Sequence, residues 1–295
     1  MIYIITDIII IQLTIFLTNS IAINMKFLIF SDLDGTFLNH DSYSFGTLRE
    51  YVRNFKFDYE LIFVSSKTYE EILEIQKMIS INFPFIAENG ACIFFPKGYL
   101  KKHQKNEEIL KYKQHFLISL TNLNSSKISK KFSFLKKKYM FQFYAELSEN
   151  KLSKITNLCS NSAKLSKVRN FTNPIFWEDS LEKKKKFKDE IKTIDSSYTI
   201  LDGGRFVHIS DKYDKGIALK KFLDIKNYLK KNYRTISLGD SENDLPMLEL
   251  TDFSCIIKSK SKINLKKKKN IVYRSKMSAP DGWKESLDFI FKKEI

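Results

Sequence analysis

Asp32 and Asp34 stand two residues apart just after the apolar run Lys26–Ser31, and Gly35 and Thr36 follow at once. Two carboxylates so spaced at a strand end can both approach one phosphorus centre. One can attack phosphorus, giving a phospho-aspartate, while the other handles the proton of the leaving or attacking oxygen. Gly35 permits a tight turn, and Thr36 can cap the segment after it. Carboxylates this close to a dianionic phosphate would repel it, so the pair calls for a hard cation. Mg2+ with oxygen ligands is the natural choice. Asp240, from a distant loop, would complete that metal site. Lys215 offers a point positive charge for phosphate oxygens, and Ser65 a hydroxyl donor beside backbone N–H groups. Singly, each fragment has a plainer reading: a calcium-like loop, a strand-end serine, an acidic turn with helix caps. Their order and placement together favour the catalytic one.

The elements that must position these groups can be read from hydrophobic period. Lys26–Ser31, Tyr59–Val64 and Phe85–Ile86 are short apolar runs ending in turns, and Ala91–Phe95 returns as a hairpin partner. Thr68–Ile79 carries Ile72, Ile75 and Ile79 at helical spacing with Glu70, Glu71 and Glu74 opposite. Later, Lys215–Leu223 reads as helix, Thr235–Leu238 as strand, Leu245–Leu250 as helix and Ser254–Ile257 as the last core strand. Strands alternating with helices predict a parallel sheet covered on both faces, whose ligands gather at the carboxyl ends of the strands. Between 101 and 210 the texture turns Lys-rich and weakly periodic, with strand candidates at Tyr139–Tyr144 and Arg205–Ile209. This predicts an inserted domain at 101–210, splitting a core into 25–100 and 211–295.

A chain of 295 residues with 43% hydrophobic content has ample material for a buried core. Its net charge of +16 suits nucleic acid, an anionic membrane surface or anionic small substrates. The runs Lys136–Lys138, Lys183–Lys186 and Lys266–Lys269 are scattered and joined to no nucleic-acid motif, so they read as solvated faces and no nucleic-acid partner is expected. Three cysteines without a CxxC pair indicate neither a disulfide framework nor a zinc site; a reducing, cytoplasmic setting fits. Residues 1–24 are apolar, with no Lys or Arg before the apolar stretch. Met25 is a natural start for the first strand, so 1–24 is expected to be a mis-assigned start or dispensable extension. No membrane association is expected unless that stretch is an anchor.

Ser31-Asp32-Leu33-Asp34-Gly35-Thr36, Ser65, Lys215 and Gly239-Asp240-Ser241-Glu242-Asn243-Asp244 resemble the four ordered motifs of the haloacid dehalogenase-type phosphatases. The resemblance implies an α/β fold: a Rossmann-like parallel-sheet core with an inserted α+β cap domain. It makes Asp32 the nucleophile and Asp34 the general acid/base. It also implies Mg2+ held by Asp32, the Asp34 carbonyl and Asp240 with Asp244 supporting, and phosphate held by Ser65, Lys215 and Asn243. A narrower resemblance, to the mannosyl-3-phosphoglycerate phosphatases, rests on Ser65-Ser66-Lys67-Thr68, Phe85 to Ala91, Phe95 to Tyr99, Arg169 to Pro174, Gly203 to His208, Gly239 to Leu248 and Asp281-Gly282-Trp283.

That likeness implies a phosphorylated small-molecule substrate touched by Lys67, Asn89, Arg169, Arg205 and His208. Guanidinium forks match carboxylates, which singles out the two arginines for the glycerate end. The plainer readings are surface ion pairs for the arginines, a packed histidine for His208 and core packing for Trp177. Asn173 departs from the family pattern, where an acidic residue is expected. A broader sugar-phosphate phosphatase or a phosphomutase is the alternative within the superfamily. A basic binding protein on a relic fold is the alternative outside it, and intact Asp32, Asp34, Lys215 and Asp240 speak against that.

Overall fold

The computed structural model describes residues 26–100, 108–203, 205–226, 233–266 and 271–294; the apolar stretch 1–24 lies outside them. The chain runs through β1 (Lys26–Ser31), α1 (Leu48–Arg53), β2 (Asp58–Val64), α2 (Tyr69–Ile79), β3 (Phe85–Ala87), β4 (Cys92–Pro96), β5 (Leu110–Tyr112) and β6 (His115–Ser119). An excursion follows: α3 (Ser125–Phe132), β7 (Phe141–Phe143), α4 (Glu149–Thr156), α5 (Ser160–Ser166), β8 (Ile175–Trp177), α6 (Leu181–Ile194), β9 (Thr199–Gly203) and β10 (Phe206–Ser210). It returns through α7 (Lys215–Ile225), β11 (Tyr233–Gly239), α8 (Leu245–Leu248), β12 (Phe253–Ile256), β13 (Ile271–Arg274) and α9 (Asp281–Glu294).

Among the described residues, nine strands form one sheet in the order β13-β12-β11-β1-β2-β3-β4-β6-β5. From β13 to β3 the pairing is parallel; β4, β6 and β5 extend it antiparallel. Strand period then divides the core. Phe27 and Ile29 of β1 face Leu48, Ile72, Trp283 and Leu287, whereas Leu28 and Phe30 face Ala218, Leu219 and Phe222 of α7. A strand buried on both faces reads as a continuous apolar run, as β1 does. Each fully buried Phe or Leu contributes about 1.5–3 kcal/mol, so packing anchors the end of β1 more firmly than surface ion pairs could. Trp283 adds a specific support: wholly buried, it donates from Nε1 to Ser31 Oγ at 2.9 Å, directly behind Asp32.

The excursion builds a second, antiparallel sheet, β7-β8-β10-β9. Ile128 and Phe132 of α3 with Phe187 and Ile191 of α6 cover one face. Trp177 packs there, 5.1 Å from the Phe187 ring, so it serves the packing of this domain.

Two expectations need correction. Leu110–Ser119, assigned with the insertion, belongs to the large sheet: β6 pairs with β4 from Cys92↔Ser119 to Pro96↔His115 and buries Leu117 and Ile118. Nor is Ser254–Ile257 the last core strand, because β13 lies beyond it at the edge, its side chains largely exposed. No helix among the described residues is long and apolar enough to cross a membrane.

Candidate active site

The turn after β1 folds on Leu33, whose carbonyl accepts hydrogen bonds from Thr36, Phe37 and Leu38 at 3.1, 3.0 and 2.8 Å. Gly35 sits at φ +83°, and a Cβ there would lie 2.5 Å from Asp240 Oδ2. Only glycine lets this turn meet the loop after β11 so closely. Thr36, which can cap the segment after it, points its hydroxyl at Asp240 Oδ1, 3.5 Å away, and no helix directly follows the turn.

Lys215 is the first residue of α7. A cation there opposes the helix dipole, so its placement needs compensation from nearby anions. It has two: Nζ lies 2.6 Å from Asp32 Oδ1 and 2.7 Å from Asp244 Oδ1, with all three residues buried. Burial works against the Lys215 charge, but Asp244 and Asp32 outweigh it and raise its pKa. Burial first, then the nearby carboxylates, hold Asp32 and Asp240 above the usual carboxylate range, and Lys215 opposes the shift in both.

The other Asp244 oxygen, Oδ2, accepts from Asp240 N and Ser241 N, both at 3.0 Å, and from Ser241 Oγ at 3.2 Å. Asp244 thus shapes the loop that presents Asp240. Carboxylate oxygens of Asp32, Asp240 and Asp244 lie within 4.8 Å of one another, a set that could hold a metal ion.

The loop after β2 completes the floor. Ser65 is buried, and its Oγ accepts from Lys67 N at 3.2 Å. Thr68 and Glu71 form a reciprocal cap that starts α2 and fixes this loop. Lys67 Nζ stands 2.9 Å from Asp34 Oδ1, an ion pair without hydrogen-bond alignment, and 3.6 Å from Glu71. Burial opposes its charge, yet Asp34 and Glu71 prevail and raise its pKa. Asn243 Nδ2 is 3.5 Å from Asn89 Oδ1, and the Asn89 N–H donates to the Ser65 carbonyl at 2.9 Å.

Arg169 donates to the Ser66 carbonyl and to Thr172 Oγ1, each at 3.0 Å, and lies 4.9 Å from the Tyr144 ring centroid. His208 is half-buried; desolvation, then the Arg169 charge, lower its pKa to about 4, so it is a neutral imidazole. Arg205 is exposed and reaches Tyr43 Oη at 3.4 Å. Asn173 is fully engaged within the inserted domain: it donates to Ser129 Oγ at 2.7 Å and accepts from Ala145 N at 3.1 Å.

Tyr43 and Glu88 also join the site, though no local sequence pattern marks either of them. Tyr43 donates to the Thr156 carbonyl at 2.6 Å, and its ring lies 5.1 Å from Lys67 Nζ. Glu88 receives the main chain at 170–172. Glu88-Asn89-Gly90 was visible as a turn, but nothing local marks its carboxylate as a partner of the insertion.

A family described as haloacid dehalogenase-like hydrolase matches residues 29–279. A glucosyl-3-phosphoglycerate/mannosyl-3-phosphoglycerate phosphatase of Persephonella marina is 34% identical over 269 residues, covering 88% of this chain and 95% of the relative. A protein of the same name from Methanococcoides burtonii is 34% identical over 238 residues, covering 79% and 85%. A crystal structure of a Thermoplasma acidophilum protein superposes with a TM-score of 0.62 at 17% identity, covering 92% of this chain and 98% of the other. The chain belongs to the haloacid dehalogenase-like hydrolase family, among its phosphatases.

Proposed function

We propose that the chain is a Mg2+-dependent phosphatase acting on a glycosyl-3-phosphoglycerate, foremost mannosyl-3-phosphoglycerate, through a phospho-aspartate on Asp32. The observation that carries this reading is the buried Asp32–Lys215–Asp244 array with Asp240 beside it and the partly exposed Asp34 next to Asp32's turn, in a chain whose relatives bear that name.

Asp32 Oδ forms a bond to phosphorus while the ester P–O bond breaks, and Asp34, protonated on entering the cycle, gives its proton to the leaving alkoxide. Asp34 then takes a proton from water, the water oxygen bonds to phosphorus, and phosphate leaves with Asp32 restored. The Lys67 ion pair keeps Asp34 oriented at the mouth. Ser65, Lys215 and Asn243 are the groups for the phosphate oxygens.

The donor set fits a hard divalent cation: carboxylate oxygens of Asp32, Asp240 and Asp244 converge beside the Lys215 ammonium, and the charges of Asp32 and Asp240 repel one another. Asp32, Asp240 and the Asp34 carbonyl would hold Mg2+, with Asp244 steadying the Asp240 loop. When bound, the ion offsets the negative charge that carboxylates and phosphate bring together. Cys92, Cys159 and Cys255 are free thiols, which supports a reducing, cytoplasmic setting.

Phosphate release from glycosyl-3-phosphoglycerates, hexose phosphates and 3-phosphoglycerate with Mg2+ tests the substrate. The glycosyl-3-phosphoglycerates should give the highest kcat/KM; an unselective profile would sink the assignment.

Two mutational outcomes follow from the geometry. Gly35→Ala adds a Cβ where Asp240 Oδ2 lies 2.5 Å away, at a backbone angle unsuited to alanine. Asp240 must move, and a shift on the order of 1 Å should cost roughly a hundredfold in kcat on any phosphomonoester. Unchanged kcat would mean that Asp240 is not placed by this contact.

Arg205 and Arg169 are the groups for the glycerate carboxylate. Losing a charge-assisted hydrogen bond costs about 2–4 kcal/mol, roughly thirty- to a thousandfold. Arg205→Ala and Arg169→Ala should therefore lose far more kcat/KM on mannosyl-3-phosphoglycerate than on p-nitrophenyl phosphate. Equal losses on both substrates would assign the arginines a structural or phosphate-binding role.

A further inference from the structure

Three consecutive residues at the end of β3 have positive φ: Glu88 at 51°, Asn89 at 62° and Gly90 at 98°. Glycine adopts this region freely, whereas glutamate does so only where its surroundings hold it there. The Glu88 side chain is buried, and its carboxylate faces the inserted domain. It accepts hydrogen bonds from three successive main-chain amides, Asn170 at 3.1 Å, Phe171 at 3.3 Å and Thr172 at 2.8 Å, and from Thr172 Oγ1 at 2.5 Å. Thr172 Oγ1 in turn accepts from Arg169 Nη1, whose Nη2 partner atom donates to the Ser66 carbonyl. On the other side of the same turn, the Glu88 N–H donates to the Lys67 carbonyl at 3.0 Å and the Asn89 N–H to that of Ser65 at 2.9 Å. One turn thus grips the Ser65–Thr68 loop by its backbone and the inserted domain by its carboxylate.

We propose that Glu88 is the positioning residue that docks the inserted domain on the core and, through Thr172, sets Arg169 against the Ser65–Thr68 loop. A buried carboxylate must be fully hydrogen-bonded, and the donors that satisfy this one come from 82 to 84 residues away. Docking and placement of Arg169 are therefore one event. Substrates that need groups of the inserted domain depend on Glu88 more than small phosphoesters do. This last statement rests on the glycosyl-3-phosphoglycerate reading; the docking itself does not.

Hydrogen exchange on the full chain tests the docking. Glu88→Gln keeps the side-chain volume but replaces one acceptor oxygen with a donor, which cannot satisfy the Thr172 N–H and Asn170 N–H together. The amides of Asn170, Phe171 and Thr172 should exchange about tenfold faster or more, while those of β1 and α7 stay as slow as before. The ratio of kcat/KM on mannosyl-3-phosphoglycerate to that on p-nitrophenyl phosphate should fall by about tenfold or more, chiefly through KM. Thr172→Ser should retain both properties and Thr172→Val lose them, and Thr172→Val carries the test where Glu88→Gln does not fold. Unchanged protection at 170–172 in Glu88→Gln and Thr172→Val overturns the proposal whatever the substrate. Failure of the wild-type chain to hydrolyse mannosyl-3-phosphoglycerate overturns the substrate reading instead, and the exchange result then decides the role of Glu88.

Discussion

Asp32→Asn should reduce turnover on every phosphomonoester by roughly ten-thousandfold or more, the scale expected when an essential nucleophile is lost. The amide is nearly isosteric with the carboxylate but cannot attack phosphorus. The fold should survive, because Lys215 keeps its second partner, Asp244, at 2.7 Å. Around Lys215 the carboxylates of Asp32, Asp240 and Asp244 outnumber the ammonium group. Removing one negative charge therefore relieves repulsion in metal-free protein, and Tm in the presence of EDTA should hold or rise. Steady-state phosphate release and a thermal melt check both halves. Retention of more than about a hundredth of the wild-type rate would argue against attack by Asp32.

EDTA should abolish activity and Mg2+ restore it, with Ca2+ a poor substitute. A divalent cation offsetting several kcal/mol of repulsion between carboxylates and phosphate is worth roughly a thousandfold in rate. Ca2+ prefers more ligands at longer distances, which would spread the Asp32, Asp240 and phosphate oxygens apart. Metal-stripped protein assayed before and after back-titration gives the result. Full activity without metal would leave the convergence of Asp32, Asp240 and Asp244 without the purpose assigned to it.

The parts of this fold legible in the sequence are those in which one contiguous run holds both an element and the chemistry at its end. Lys26 to Thr36 is a buried strand followed by the turn that carries Asp32 and Asp34, so period and motif agree. Tyr233 to Asp244 repeats the pattern for Asp240. The inserted domain gives weaker signals. Its strands β7 and β8 are three residues long, too short to show an alternation. Leu110–Ser119 reads as part of the insertion because a Lys-rich stretch separates it from β4, and its antiparallel pairing emerges only in three dimensions. Strand β13 follows another Lys run and leaves Ile271 and Val272 about 40% exposed, so it carries little mark of a core strand. Glu88 and Tyr43 were hidden for a different reason: their partners, Thr172 and Thr156, are 84 and 113 residues away. A residue whose role is to join two domains has no local pattern to display.

Capture of the covalent intermediate tests the central claim most directly. Wild-type protein turning over mannosyl-3-phosphoglycerate with Mg2+ should be quenched in acid within the first turnovers and mapped by mass spectrometry of its peptides. A phosphoryl group on Asp32, absent from Asp32→Asn and from protein quenched before substrate is added, is the predicted result. Turnover that proceeds with the phosphoryl group on another residue, or with none on Asp32 at any quench time, would contradict it.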